Sequence, residues 1–279
     1  MPCGRDGRAT LTPQTFTQPA AGIDWYCEAR GRGPQIVLIP SGEGDCGSFA
    51  RVADDLARDF SVLTFDMPGF SRSSPPPDWR DVGANAVAGQ IAALTASVGI
   101  ERATFYGCSS GGLFALALAA EYPDLVESVF VHEVAVPLKD APTGGGPFAQ
   151  LFSPDDSTVV ETCKLLFRNV MNEDQQAWDD LGPDYHRRLE KNYLTWARRY
   201  VGAALTSGVF RELTAQDLAR RPITWTVGGL SGSTPLVEGN RRLADVGGIE
   251  IGLLPCRHFP QVSIPDRLAQ HIRAGVPRH

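Results

Sequence analysis

The period of apolar and polar positions changes repeatedly along the chain. From Gly22 to Ser41, "GIDWYCEARGRGPQIVLIPS" first alternates and then turns continuously apolar, which predicts a strand, a Gly-rich turn and a buried strand around Ile36–Ile39. A helix-period segment runs from Phe49 to Leu56. It is followed by a strand at "SVLTFD", a turn-rich loop "MPGFSRSSPPP", a helix near Val87–Val98 and a third buried strand at "ATFYG". After a helix over Gly112–Glu121, "VESVFVHEVAV" reads as another buried strand ending near Glu133. Strands that alternate with helices predict an α/β fold with a mostly parallel sheet covered by helices on both faces.

The alternation stops after this strand. From about Leu138 to Arg221 the sequence is helix-like, rich in charge and tryptophan, with no strand until "ITWTVGG" resumes the pattern; "IEIGLLP" and a final helix from Asp266 complete it. The expected organisation is a core over 1–137, an inserted helical lid over 138–221 and the rest of the core over 222–279. The stretch "MPCGRDGRATLTPQTFTQPAAG" reads as a frayed lead-in, because it lacks the ~7–15-residue apolar run of a secretion signal.

Composition narrows the function classes. In 279 residues, 43% are hydrophobic and 21% charged, and no apolar run reaches the ~18 residues of a membrane span, so a membrane partner is not expected. A net charge of −6 lacks the massed Lys and Arg of a nucleic-acid footprint. Cys3, Cys27, Cys46, Cys108, Cys163 and Cys256 are scattered without a C-x-x-C pair, which suits reduced thiols and a cytoplasmic location. A small neutral or apolar ligand is the expected partner, and a homodimer is left open.

Three motifs carry candidate chemistry. Gly42-Glu43-Gly44-Asp45-Cys46-Gly47 satisfies G-x-G-x-x-G after a strand, but two carboxylates in that loop oppose an anionic diphosphate. "FYGCSSGGLF" sets Gly107-Cys108-Ser109-Ser110-Gly111 between a strand and a helix, the G-x-S-x-G frame of a nucleophile elbow, with a helix-capping serine as the alternative. Small residues two before and two after the apex select Ser109 over Ser110. In such enzymes the base follows the last strand, where His258 sits; His132, His186, His271 and His279 lie elsewhere. The loop after "ITWTVGG", Leu230-Ser231-Gly232-Ser233-Thr234, holds no carboxylate, so the acid is expected at Glu133, with Glu238 or a structural salt bridge as alternatives. Backbone N–H groups of Gly42 and Ser110 are the expected oxyanion donors.

With the order Ser109, Glu133, His258, the chain resembles the α/β-hydrolase superfamily, and within it the zearalenone hydrolases. The stretches that carry this are "GIDWYCE", "GPQIVLIPSGEGDC", "VLTFDMPGFSRS", "YGCSSG", the "HE" pair, "NYLTWARRY", "WTVG" and "LPCRHFPQVSIPD". The resemblance implies a lactonase with a Ser-His-Glu triad and an apolar or phenolic lactone substrate, needing no metal and no organic cofactor. It also implies that Trp196 packs on the substrate and that Val170 and Met171 face the pocket. The sequence departs from the family at Ser41, where Asp is usual, in a longer stretch after Glu133 and in a shorter one after Met171. A carboxylesterase, a C–C hydrolase and a receptor-like ligand binder share the fold and are the rival readings.

Overall fold

The computed structural model describes residues 12–80, 82–136, 147–201 and 213–277. Its sheet has strands β1 (Gln14–Ala20), β2 (Ile23–Arg30), β3 (Gln35–Ile39), β4 (Ser61–Phe65), β5 (Ala103–Cys108), β6 (Val126–His132), β7 (Ile223–Gly228) and β8 (Ile251–Leu254). They lie in the order β1-β2-β4-β3-β5-β6-β7-β8, antiparallel at β1–β2 and β2–β4 and parallel elsewhere.

The lead-in expectation needs correction: residues 14–20 form the edge strand β1. Its polar side chains stay mostly exposed and it carries Pro19, which an edge tolerates, so no apolar signal betrays it. Ala21 and Gly22, both at positive φ (50° and 74°), turn the chain back so that Ala20 opposes Ile23.

The helices are α1 (Ala50–Leu56), α2 (Ala84–Ser97), α3 (Ser110–Glu121), α4 (Asp156–Leu165), α5 (Gln175–Asp179), α6 (Pro183–Thr195), α7 (Ala215–Leu218), α8 (Pro235–Val246), α9 (Pro260–Ser263) and α10 (Pro265–Gly275). Alternation in β3 builds a core on each face of the sheet: Val37 and Ile39 join the cluster under α2 and α3, while Ile36 and Leu38 join the one under α1 and α10. Helix α3 is apolar nearly all round because it is buried nearly all round.

Between β6 and β7 every described element is helical. Asp155 caps α4 and Asp174 caps α5 through backbone N–H groups, and α4 and α6 each widen into a π-turn, Leu166–Val170 and Trp196–Val201. Tyr185, Leu189, Asn192 and Tyr193 form the buried stripe of α6. Most of the described buried apolar residues of this insert extend the α1 and α10 cluster, whereas Leu213 and Leu218 join the cluster under α2 and α3. Phe259 of the main domain stacks against both Phe167 and Trp178 of the insert, at centroid distances of 5.6 and 5.8 Å, and those two rings touch each other at 6.3 Å. No helix among the described residues is long and apolar enough to cross a membrane.

Candidate active site

Ser109 occupies the single residue between β5 and α3, at φ 54° and ψ −122°. A non-glycine residue in that region costs of order 1–3 kcal/mol and persists only where its surroundings over-determine it. Here they do. Its N–H donates to the His132 carbonyl at 2.9 Å, and its own carbonyl accepts the Leu113 and Ala135 N–H groups at 3.1 and 3.0 Å. The frame glycines are required by close approach, since a Cβ on Gly107 would meet the Gly111 backbone at 2.2 Å and one on Gly111 would meet the Ile39 carbonyl oxygen at 2.4 Å. The elbow is therefore pressed against the end of β3, two residues before the Ser41–Gly42 peptide.

Glu133 directly follows β6, is 1% exposed and adopts φ 40°. Its Oε1 accepts the Gly228 N–H at 2.9 Å and its Oε2 lies 2.7 Å from His258 Nδ1. Burial alone would raise its pKa. The hydrogen bond with His258, the charge that ring carries when protonated and a hydrogen bond from Ser231 outweigh burial and lower it to about 2. The carboxylate is thus paired and ionised. Asn240 of α8 clamps the following residue, accepting the Val134 N–H at 2.7 Å and donating to its carbonyl at 2.9 Å. Glu238 lies in the first turn of the same helix.

His258 stands on the loop after β8, 6% exposed. Its N–H donates to the Met171 carbonyl at 3.0 Å and its carbonyl accepts the Cys108 thiol at 2.8 Å. The preceding Arg257 donates its N–H to Glu173 Oε2 at 2.9 Å, and its carbonyl lies 3.0 Å from His132 Nε2, which fixes the proton of His132 on that nitrogen. Because Nδ1 of His258 is bound to Glu133, Nε2 is the ring nitrogen not engaged by that carboxylate. The other histidines are elsewhere: His132 is fully buried and lowered by burial to about 4, His186 bonds the Trp178 carbonyl, His271 lies against Phe130, and His279 is outside the described residues.

Gly42 lies in a turn closed by the Gly44 N–H donating to the Ser41 carbonyl at 3.0 Å. Trp196, at the start of the second π-turn, packs on its α-carbon: a Cβ there would be 2.6 Å from the indole Nε1. Glu43 and Asp45 are 1% and 0% exposed, Glu43 accepting from Ser48 at 3.0 Å and Asp45 paired with Arg188 and Arg72, so two acidic groups are packed beneath the loop where a diphosphate cradle would need bare N–H groups. Met171 is half-buried and meets the site through its carbonyl, whereas Val170 is 54% exposed. Glu133 and His258 are paired directly, and the thiol of Cys108, the residue before Ser109, bonds the His258 carbonyl. Contacts that sequence reasoning missed are those of Cys108, Ser231, Asn240 and Asn192; Ser231 occupies the loop where a carboxylate was sought.

Residues 34–161 match the family described as alpha/beta hydrolase fold. The zearalenone hydrolase of Bionectria ochroleuca is 35% identical over 271 residues, 96% of this chain and 99% of that protein. The chain belongs to the zearalenone hydrolase family. A second zearalenone hydrolase, from Cladophialophora bantiana, is 37% identical over 254 residues, covering 90% of this chain and 92% of its own. Among solved structures, a serine hydrolase involved in carbazole degradation has a TM-score of 0.71 at 16% identity, covering 94% of this chain and 98% of that one. An N-acyl homoserine lactone degrading enzyme has a TM-score of 0.69 at 18% identity, covering 94% of this chain and 100% of that one. These two share the fold. As a zearalenone hydrolase family member with an α/β-hydrolase core, the protein is a hydrolase.

Proposed function

We propose that the protein opens the ester of a resorcylic macrolactone of the zearalenone type through an acyl-enzyme on Ser109. The observation that carries this reading is the buried Glu133–His258 pair, Oε2 to Nδ1 2.7 Å, whose histidine loop is tied by the Cys108 thiol to the residue beside Ser109. In this reading His258 Nε2 takes the Ser109 proton as Oγ attacks the lactone carbonyl, and the N–H groups of Gly42 and Ser110 bind the oxyanion. Glu133 holds the imidazolium in place without taking its proton. His258 then protonates the leaving alkoxide as the ring ester bond breaks. That alcohol remains tethered to the acyl group and can re-close the ring. A water deprotonated by His258 must therefore attack the acyl-enzyme first, releasing the opened hydroxy acid and restoring Ser109.

The segment 138–221 acts as the lid in this reading, with Trp196 and Met171 against the substrate and Val170 at its outer margin. Burial of a flat phenolic ring beside Trp196 supplies most of the affinity. The five described cysteines are all unpaired and buried, which suits the reducing cytoplasm. Chromatography of zearalenone and a simple aryl ester incubated with wild type and with Ser109→Ala tests the reading. Ring-opened product from wild type alone supports it. Turnover of the aryl ester without ring opening would transfer the same machinery to a carboxylesterase.

A further inference from the structure

Asn192, on the buried stripe of α6, reaches out of the insert into the loop that carries Gly42. It is 0% exposed and makes three hydrogen bonds of 2.8 Å: Nδ2 donates to the Glu43 carbonyl and to Ser71 Oγ, and Oδ1 accepts the Ser71 N–H. Ser71 is itself at positive φ, 43°, and its hydroxyl donates to Asp45 Oδ2 at 2.6 Å. Arg188, one turn earlier on α6, also grips Asp45, at 2.5 and 3.0 Å. Burial opposes ionisation of Asp45, but these partners and Arg72 hold it below the usual carboxylate range.

The Asn192–Glu43 contact differs from the others in where it leads. The Glu43 carbonyl shares a peptide plane with the Gly44 N–H, which donates to the Ser41 carbonyl at 3.0 Å. The Ser41 carbonyl shares the next plane with the Gly42 N–H. The amide of Asn192 is thus the first donor in a run of aligned peptide dipoles whose last free donor is the proposed oxyanion contact. Hydrogen bonds in such runs orient and polarise one another, most strongly where water is excluded.

We infer that Asn192 is a positioning residue for the oxyanion hole, acting through the two peptide planes 43–44 and 41–42; this rests on the assignment of Gly42 as an oxyanion donor. The insert then contributes to transition-state binding as well as covering the site. A group that acts on the developing oxyanion lowers kcat and leaves ground-state binding nearly unchanged.

The test is Asn192→Asp, which keeps size and the acceptor for Ser71 but turns an oxygen toward the Glu43 carbonyl. With an aryl ester, kcat falls about 10- to 100-fold while KM stays within about 3-fold. Ki for phenylboronic acid, a mimic of the tetrahedral adduct, rises by the factor that kcat/KM loses. Arg188→Met, which loosens the insert at Asp45 and leaves the Asn192–Glu43 bond, lowers Tm with kcat within about 3-fold of wild type. Wild-type kcat and Ki in folded Asn192→Asp overturn the inference. So does an equal loss of kcat in Arg188→Met. If Asn192→Asp does not fold, Asn192→Ser is judged by the same criteria. Ser109→Ala is run alongside: turnover there would remove the nucleophile assignment and this inference with it, whereas a dead Ser109→Ala beside an unaffected Asn192→Asp removes the inference alone.

Discussion

Gly42→Ala isolates the contact between the insert and the proposed oxyanion loop. The backbone at Gly42 is not in the left-handed region, so alanine meets no conformational penalty there. The obstacle is steric: the new Cβ would lie 2.6 Å from Trp196 Nε1, 3.0 Å from Cδ1 and 3.1 Å from Cε2. An indole wedged edge-on against Phe167, centroids 5.1 Å apart, has little freedom to retreat. Overpacking of this kind costs about 1–3 kcal/mol, which at ~2–4 °C per kcal/mol lowers Tm by roughly 2–12 °C. If the loop shifts instead, the Gly42 N–H leaves its post and kcat drops about 10²- to 10³-fold. Thermal melts and aryl-ester kinetics on Gly42→Ala, Trp196→Leu and the double variant separate the two effects. Removing the indole removes the clash, so Gly42→Ala should cost at least about 1 kcal/mol less in the Trp196→Leu background. Additivity within about 0.5 kcal/mol, or a Gly42→Ala variant with both wild-type Tm and wild-type kcat, would refute the reasoning.

Three further outcomes follow from the geometry. Glu133→Gln keeps the fold but lowers kcat by about 10² or more in steady-state assays, because a neutral amide cannot stabilise the imidazolium. His132, held neutral in the fold by burial with a pKa of about 4 against 6.5 in the open chain, contributes stability that is complete above pH 6.5 and is lost as pH falls toward 4. The loss amounts to about 3 kcal/mol in urea titrations across that window, and His132→Gln flattens it. Phe259→Ala removes the ring stacked against Phe167 and Trp178 and lowers unfolding free energy by about 3–5 kcal/mol.

The buried strands and the elbow were legible because their signals are local. An all-apolar run such as Ile36–Ile39 has no other stable place than a covered sheet, and two glycines four residues apart mark where strand and helix nearly touch. The pairing of Glu133 with His258 was legible by elimination, since the β7 loop offers no carboxylate and a Glu ending an apolar run needs a partner. Strand β1 was not legible, because an exposed edge strand has no apolar period to display. The polar contacts between insert and core were equally hidden. Asn192 touches residues 43 and 71, 149 and 121 positions away, and nothing in "RRLEKNYLTW" distinguishes it from a solvated asparagine. Long-range hydrogen bonding is fixed by packing, and period analysis carries no information about it.

The most direct test of the account is to label the protein with a fluorophosphonate, digest it and read the modified peptide by mass spectrometry, with and without zearalenone. The account predicts one adduct, on Ser109, formed more slowly when zearalenone is present and absent in His258→Ala. An adduct on Ser110, or labelling of Ser109 unaffected by zearalenone, would contradict it.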